Sequence, residues 1–258
     1  MHFAAMDLGS NSFHLLATTR GARGELVKLG SYKEVLKLAS SLDASGRLPD
    51  AAMARALDAL GTMLAFARFF RAAPIAVGTS ALRSAKNGQD FVRAAKARFD
   101  LDVQILSGGE EAALVYRGAR SAVNGLPGKI AVVDLGGGSV EIAVGEAEQC
   151  DCTETLPLGF LRFAENSESE IRERVAREAR AVAERVRDLS PEACIASGEL
   201  PQQHALAQAA GRDPHAGCAQ GVDHRGQHGG ADTDRVAARR IHTQLAEARL
   251  VGVEQLPR

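Results

Sequence analysis

The sequence predicts an α/β fold built by duplication, and two observations carry that reading. Phe3-Ala-Ala-Met-Asp-Leu-Gly-Ser-Asn-Ser-Phe-His-Leu-Leu-Ala and Ile130-Ala-Val-Val-Asp-Leu-Gly-Gly-Gly-Ser-Val-Glu-Ile-Ala-Val are versions of one another. In each, an apolar run ends in Asp-Leu-Gly, passes through small residues to Ser12 or Ser139, and resumes as β-type residues, the pattern of a hairpin with a tight loop at its tip. Behind each hairpin, strand and helix patterns alternate, as they do where helices cover a sheet.

Residues 3–7 and 12–19 are the arms of the first hairpin, and a β-like stretch over 25–38 extends its sheet. Pro49, at a first helical position, opens a helix whose inner face is Met53, Ala56, Leu57, Leu60 and Leu64; it runs to about Phe70 and Pro74 stops it. Ile75, Ala76 and Val77 form a buried strand ending in Gly78-Thr79-Ser80. A helix over 88–99, a strand over 103–106 and a helix over 110–123, preceded by Ser107-Gly108-Gly109, complete the first half. Asn124-Gly125 and Pro127-Gly128 read as the linker. After the second hairpin come a strand near 153–157 and a loop at Leu158-Gly159-Phe160. Ile171, Val175, Ala179, Val182, Val186 and Leu189 then mark the inner stripe of a long helix. Glu168/Arg172, Glu170/Arg174 and Glu173/Arg177 have the spacing of outer-face ion pairs, and Cys194 to Ala196 is a last short strand reaching Ser197-Gly198.

The chain has 258 residues, 45% of them hydrophobic, enough for two modest cores, and a net charge of −1, which excludes a strongly basic binder of nucleic-acid duplexes. Met1-His2 runs directly into the first strand pattern without a signal peptide, and no apolar run approaches the roughly 20 residues that span a bilayer, so a cytoplasmic protein with no membrane partner is expected. Cys150, Cys152, Cys194 and Cys218 lack paired Cys-x-x-Cys spacing and read as reduced structural thiols rather than a zinc site. All nine Phe and both Tyr lie at or before Phe163, whereas five of the seven His lie at or after His204. Between Pro201 and Ala231 the only large aliphatics are Leu206 and Val222, too little apolar surface to offset ordering. The expected organisation is a domain over 1–124, a partial domain over 125–198, and an atypical tail over 199–258, disordered or translated out of frame.

Four strings, in order, then identify a relationship: Asp7-Leu-Gly-Ser-Asn-Ser-Phe-His-Leu, Gly78-Thr-Ser-Ala-Leu-Arg83, Leu106-Ser-Gly-Gly-Glu-Glu-Ala112 and Val133-Asp-Leu-Gly-Gly-Gly-Ser-Val-Glu141. Over about residues 3–198 the chain resembles the exopolyphosphatase and guanosine pentaphosphate phosphatase family of the actin-like ATPase superfamily. The resemblance implies duplicated ribonuclease-H-like domains around a phosphate-binding cleft, with the second domain incomplete. It also implies hydrolysis of a terminal phosphoanhydride of inorganic polyphosphate or guanosine pentaphosphate with Mg²⁺. By motif, Glu111 matches the family's catalytic carboxylate and Arg83 the arginine near the phosphates. Asp7 with Gly9, Ser10, Asn11 and Ser12 matches one phosphate site, and Asp134 with Gly136, Gly137, Gly138 and Ser139 the other.

The residue types suit that chemistry. Glycines let backbone N–H groups converge on an anion, and an Asp beside them can hold a hydrated cation. Glu111, in the first turn of its helix, can orient or deprotonate a water, although first-turn acids also serve simply to complement the helix dipole. Arg83 supplies a planar, permanently charged fork near the carboxyl end of a strand. Ser139 either binds a phosphate oxygen or caps its own turn. Glu141 either supports a metal shell containing Asp134 or serves a cross-strand role, and His14 reads as a packed strand residue. His224 and His228 are set among too many glycines for a stable helical metal site.

After Gly198 the family's continuation is replaced by Glu199-Leu-Pro-Gln-Gln-His, which suggests a frameshift near Ser197-Gly198, with a divergent natural tail as the other reading. Two other functions compete with hydrolysis. A kinase of the same superfamily requires an acceptor-activating Asp and a glycine-rich adenosine pocket, neither of which is evident. A catalytically impaired relative that only binds polyphosphate or an alarmone is the outcome if the second domain is incomplete. Such a domain exposes an apolar face and favours self-association, a homodimer included.

Overall fold

The structure is a computed structural model that describes residues 1–123 and 125–198. The expected tail and frameshift, and the pair His224 and His228, lie outside the described residues. The chain forms two compact units: one of Met1–Glu111 with Gly137–Ser139 and Pro157–Glu165, the other of Ala112–Gly136, Val140–Leu156 and the described residues from Asn166.

In the first unit β1 (His2–Leu8) and β2 (Ser12–Arg20) are antiparallel, and β3 (Leu26–Val35) continues the meander. Helix α1 (Asp50–Phe69) returns the chain to β4 (Ala73–Gly78), parallel to β1, and α2 (Ser80–Ser84) and α3 (Gly88–Phe99) lead to β5 (Val103–Ile105). The order is β3-β2-β1-β4-β5. Leu8, Phe13 and Leu15 pack with Leu60 and Met63 of α1 and with Phe91 of α3, the Phe13 and Phe91 rings meeting edge-on at 6.3 Å. Pro49 stands one residue before α1 rather than inside it, its carbonyl accepting from Ala52 and Met53 at 2.9 Å. Nor does Pro74 end α1. Arg71 does so, in the left-handed conformation at φ 51, while Ala72 N–H reaches back to the Ala67 carbonyl at 3.0 Å; Pro74 already belongs to β4.

Helix α4 (Gly108–Ala122) enters the second unit, where β6 (Lys129–Leu135), β7 (Val140–Glu146) and β8 (Gln149–Leu156) form a second meander. Helix α5 (Glu168–Asp188) leads to β9 (Ala193–Gly198), parallel to β6. The order β8-β7-β6-β9 repeats β3-β2-β1-β4 strand for strand and direction for direction. The duplication read from the two hairpins is therefore a duplication of topology. Ala112, Val115, Tyr116 and Ala119 of α4 close the core with Ile130 and Val132.

The α5 surface differs from its expected pairing. Glu168 holds Arg172 at 2.7 Å, but Glu170 turns back to accept from Ser167 N–H at 2.7 Å in a capping box, and Arg174 pairs with Glu178 instead, at 2.9 Å. An unpaired N–H in the first turn competes better for Glu170 than a solvated arginine does. Arg177 likewise lies beside Glu178. Helix α5 packs against β8, the edge strand, so its apolar stripe is only partly covered: Val182 is buried and Val175 is exposed. Among the described residues no helix is long and apolar enough to cross a membrane.

Candidate active site

The first hairpin turns through a loop pinned by its carbonyls. Leu36 and Lys37 donate to the Asn11 carbonyl at 2.9 and 2.8 Å, and Ala39 donates to that of Ser10 at 3.1 Å. Gly9 N–H closes the turn on the Ser12 carbonyl at 3.2 Å. Ser10 and Ser12 are buried, Asn11 and Asp7 half-buried. Asp7 stands directly across from His14 in the β1–β2 register, and His14 Nε2 hydrogen-bonds Ser12 Oγ at 2.9 Å. His14 is thus more than packing: it holds the hydroxyl of a loop residue.

Arg83 rides on α2, a single helical turn too short to show periodicity, reached directly from β4 through buried Thr79 and Ser80. Its Nη1 donates to Glu111 Oε2 at 2.7 Å and to the Leu106 carbonyl at 3.0 Å. Glu111 is 5% exposed. Its neighbour Glu110 has a different task. Ser107 N–H donates to Glu110 Oε2 at 2.7 Å and Glu110 N–H to Ser107 Oγ at 3.2 Å, a capping box that starts α4. One acid therefore builds the helix end and the other faces the arginine.

Gly137, Gly138 and Ser139 group with this first unit. A Cβ on Gly137 would lie 2.9 Å from Asn11 Cβ, and one on Gly138 would lie 2.5 Å from Ser10 Oγ and 2.7 Å from Ser80 Oγ. The glycines are required for this approach, which brings the backbone of one loop onto two buried hydroxyls. Ser10 Oγ has no hydrogen-bond partner among the described residues. A buried hydroxyl in that state is one a ligand oxygen can satisfy. The loop is further held by Leu161 N–H on the Gly137 carbonyl at 2.9 Å and by Arg162 Nε on that of Gly138 at 2.5 Å. Ser139 is buried and Gly136 half-buried.

Asp134 and Glu141 belong to the second unit, directly opposite one another across β6 and β7 and both buried. Ser197 Oγ donates to Asp134 Oδ1 at 2.6 Å and Thr155 Oγ1 to Glu141 Oε1 at 3.0 Å. Among the described residues no group of three or more His, Cys, Asp or Glu forms a closed metal cage. Mg²⁺ does not ask for one: it keeps several waters and takes one or two carboxylates together with phosphate oxygens. A buried pair of carboxylates fits such an ion.

Sequence reasoning did not single out Ser80, Gly159, Arg162, Thr155 or Ser197. Ser80 lies within the Gly78-Thr-Ser-Ala-Leu-Arg83 string, and Arg162 falls in a turn of 3₁₀ helix, Phe160–Phe163, that reads as loop. Thr155 and Ser197 are visible only through strand register.

A sequence profile of the Ppx/GppA phosphatase family matches residues 18–210. The chain belongs to the Ppx/GppA family. Among solved structures it is similar to an exopolyphosphatase from Cytophaga hutchinsonii, at 26% identity and TM-score 0.70, over 76% of this chain and 66% of that one. It is also similar to the Ppx/GppA family member of Aquifex aeolicus, at 21% identity and TM-score 0.62, over 76% and 65% respectively. A polyphosphate/ATP-glucomannokinase from Arthrobacter, at 15% identity and TM-score 0.56 over 99% of each chain, shares the fold alone. The two repeated α/β units are those of the actin-like ATPase fold. The chain spans just under two thirds of the length of its solved family relatives.

Proposed function

We propose that this Ppx/GppA member is a hydrolase that releases terminal orthophosphate from inorganic polyphosphate, from guanosine pentaphosphate, or from both, with Mg²⁺. The observation that carries the reading is the ion pair of half-buried Arg83 with buried Glu111, 2.7 Å from Nη1 to Oε2, in the unit that also holds Ser10, Asn11, Ser12 and the Gly137–Ser139 loop. Hydrolysis of a phosphoanhydride needs an in-line water, an acceptor for its proton and a counter-charge on the terminal oxygens.

Glu111, acceptor-only when ionised, takes the hydrogen bond and then the proton of the water. Arg83 holds that carboxylate in one orientation and brings positive charge to the site. The side chains of Ser10, Asn11, Ser12 and Ser139 and the backbone N–H groups of the glycine loop bind phosphate oxygens. Asp7 lies at the base of the first loop. Asp134 and Glu141 are the residues that would hold Mg²⁺, which supplies neutralisation of phosphate charge when bound.

The test is orthophosphate release by the full chain with Mg²⁺ and either substrate, compared with Glu111→Gln. The expected loss in kcat is about 10²–10⁴-fold, the range of a general base. A folded Glu111→Gln protein with unchanged kcat would remove Glu111 from the mechanism.

A further inference from the structure

Two buried carboxylates face each other across β6 and β7, an arrangement in which like charges repel unless the surroundings organise them. Here a hydroxyl stands on each outer side. Thr155 on β8 is the register partner of Glu141, and Ser197 on β9 is the register partner of Asp134. Four side chains, Thr155, Glu141, Asp134 and Ser197, therefore form one row across the whole width of the second sheet. Each hydroxyl donates to one oxygen of the adjacent carboxylate, Oε1 of Glu141 and Oδ1 of Asp134. The bonds restrict side-chain rotation and bring no positive charge of their own.

The first sheet shows that this row is not a by-product of the topology. The same register positions there are occupied by Lys33, His14, Asp7 and Val77, so a single carboxylate is flanked by basic groups on one side and an apolar residue on the other. Only the second sheet pairs two acids and flanks both with hydroxyls.

We propose that Thr155 and Ser197 are positioning residues that hold Asp134 and Glu141 in the arrangement that takes a divalent cation, and that they set the affinity for it. The inference rests on the reading of Asp134 and Glu141 as the Mg²⁺ residues. Hydrogen-bond partners of ligating carboxylates commonly govern metal affinity by roughly 10–100-fold.

The test is Mn²⁺ binding to the full chain, monitored by electron paramagnetic resonance in the absence of substrate. Thr155→Val keeps the branched shape without the hydroxyl, and Ser197→Ala removes the other donor. Each is expected to weaken Mn²⁺ binding about tenfold or more, whereas Thr155→Ser restores the wild-type value. Melting in EDTA reports what each lost hydrogen bond costs the metal-free fold, and Mn²⁺ affinity is compared at a temperature at which every variant is folded, which separates a role at the metal from one in the fold. If Thr155→Val does not fold, Ser197→Ala and Thr155→Ser carry the comparison. Wild-type-like Mn²⁺ affinity in the folded hydroxyl-deletion variants overturns the inference while leaving the metal reading intact. A wild-type chain that binds no Mn²⁺, or an Asp134→Asn variant that binds it as well as wild type, overturns the metal reading and the inference with it.

Discussion

Arg83 and Glu111 depend on each other, because the Glu111 side chain is 6% exposed and that of Arg83 24%. Removing the cation leaves a buried charge without its counter-ion, a loss of several kcal/mol when complete. Arg83→Met is accordingly expected to destabilise the chain by about 3 kcal/mol in urea titration. The double variant with Glu111→Gln should recover part of that loss, since the orphaned charge is gone; a double variant no more stable than Arg83→Met would mean that the pair is not the source. Glu110 predicts the opposite profile. Its capping box contributes about 1 kcal/mol, so Glu110→Ala should lower the urea midpoint and leave kcat in place. The motif separated these adjacent acids in the sequence, and the Ser107-x-x-Glu110 spacing is itself a capping signal. The Arg83 contact was not legible: it joins positions 28 residues apart, and side-chain reach across such a distance leaves no periodic trace.

The glycine loop is held as much by the Pro157–Glu165 segment as by its own residues. A Cβ on Gly159 would come within 2.2 Å of the Gly138 carbonyl carbon and 2.3 Å of Ser139 N, backbone atoms that cannot rotate aside. Gly159→Ala must displace the loop or itself. The expected result is a loss of about 1–3 kcal/mol, the usual cost of overpacking, together with a fall in phosphate release larger than the stability loss explains. Stability and kcat both at wild type would exclude so close an approach of Gly159 to the glycine loop. At this scale the sequence was informative where repetition or periodicity ran long enough. The hairpins, α1, α3, α4 and α5 were all visible. Helix α2 and the 3₁₀ turn at Phe160–Phe163 were not, being too short for a repeat to emerge. Of the α5 pairs, Glu168/Arg172 forms as its spacing predicts, whereas Glu170/Arg174 does not, because Glu170 had two partners in reach and spacing does not rank an N–H cap against an arginine.

Each unit repeats one topology, yet chemistry is distributed unevenly between them, and this yields tests of the molecule as a whole. Cys150 packs beside the α4 core of the second unit, and burial pushes its thiol from 9.0 up to about 11, with Arg117 opposing. The unfolded chain releases that proton near pH 9 while the folded chain retains it, so this contribution to stability is present below pH 9 and is lost as pH rises toward 11. The urea midpoint should fall over that window, and less steeply in Cys150→Ala; identical slopes would exclude the thiol. Ligand linkage addresses function across the entire chain. A ligand that binds only the folded state stabilises it by about 2.7 kcal/mol at a hundred times its Kd. Glu111→Gln should therefore gain as much thermal stability from polyphosphate and Mg²⁺ as wild type while releasing far less orthophosphate, because a proton acceptor contributes little to ground-state binding. Wild type that gains stability without turnover would be a binding protein rather than a hydrolase. Stabilisation absent from both proteins would remove polyphosphate as the ligand and leave guanosine pentaphosphate to be tried on the same terms.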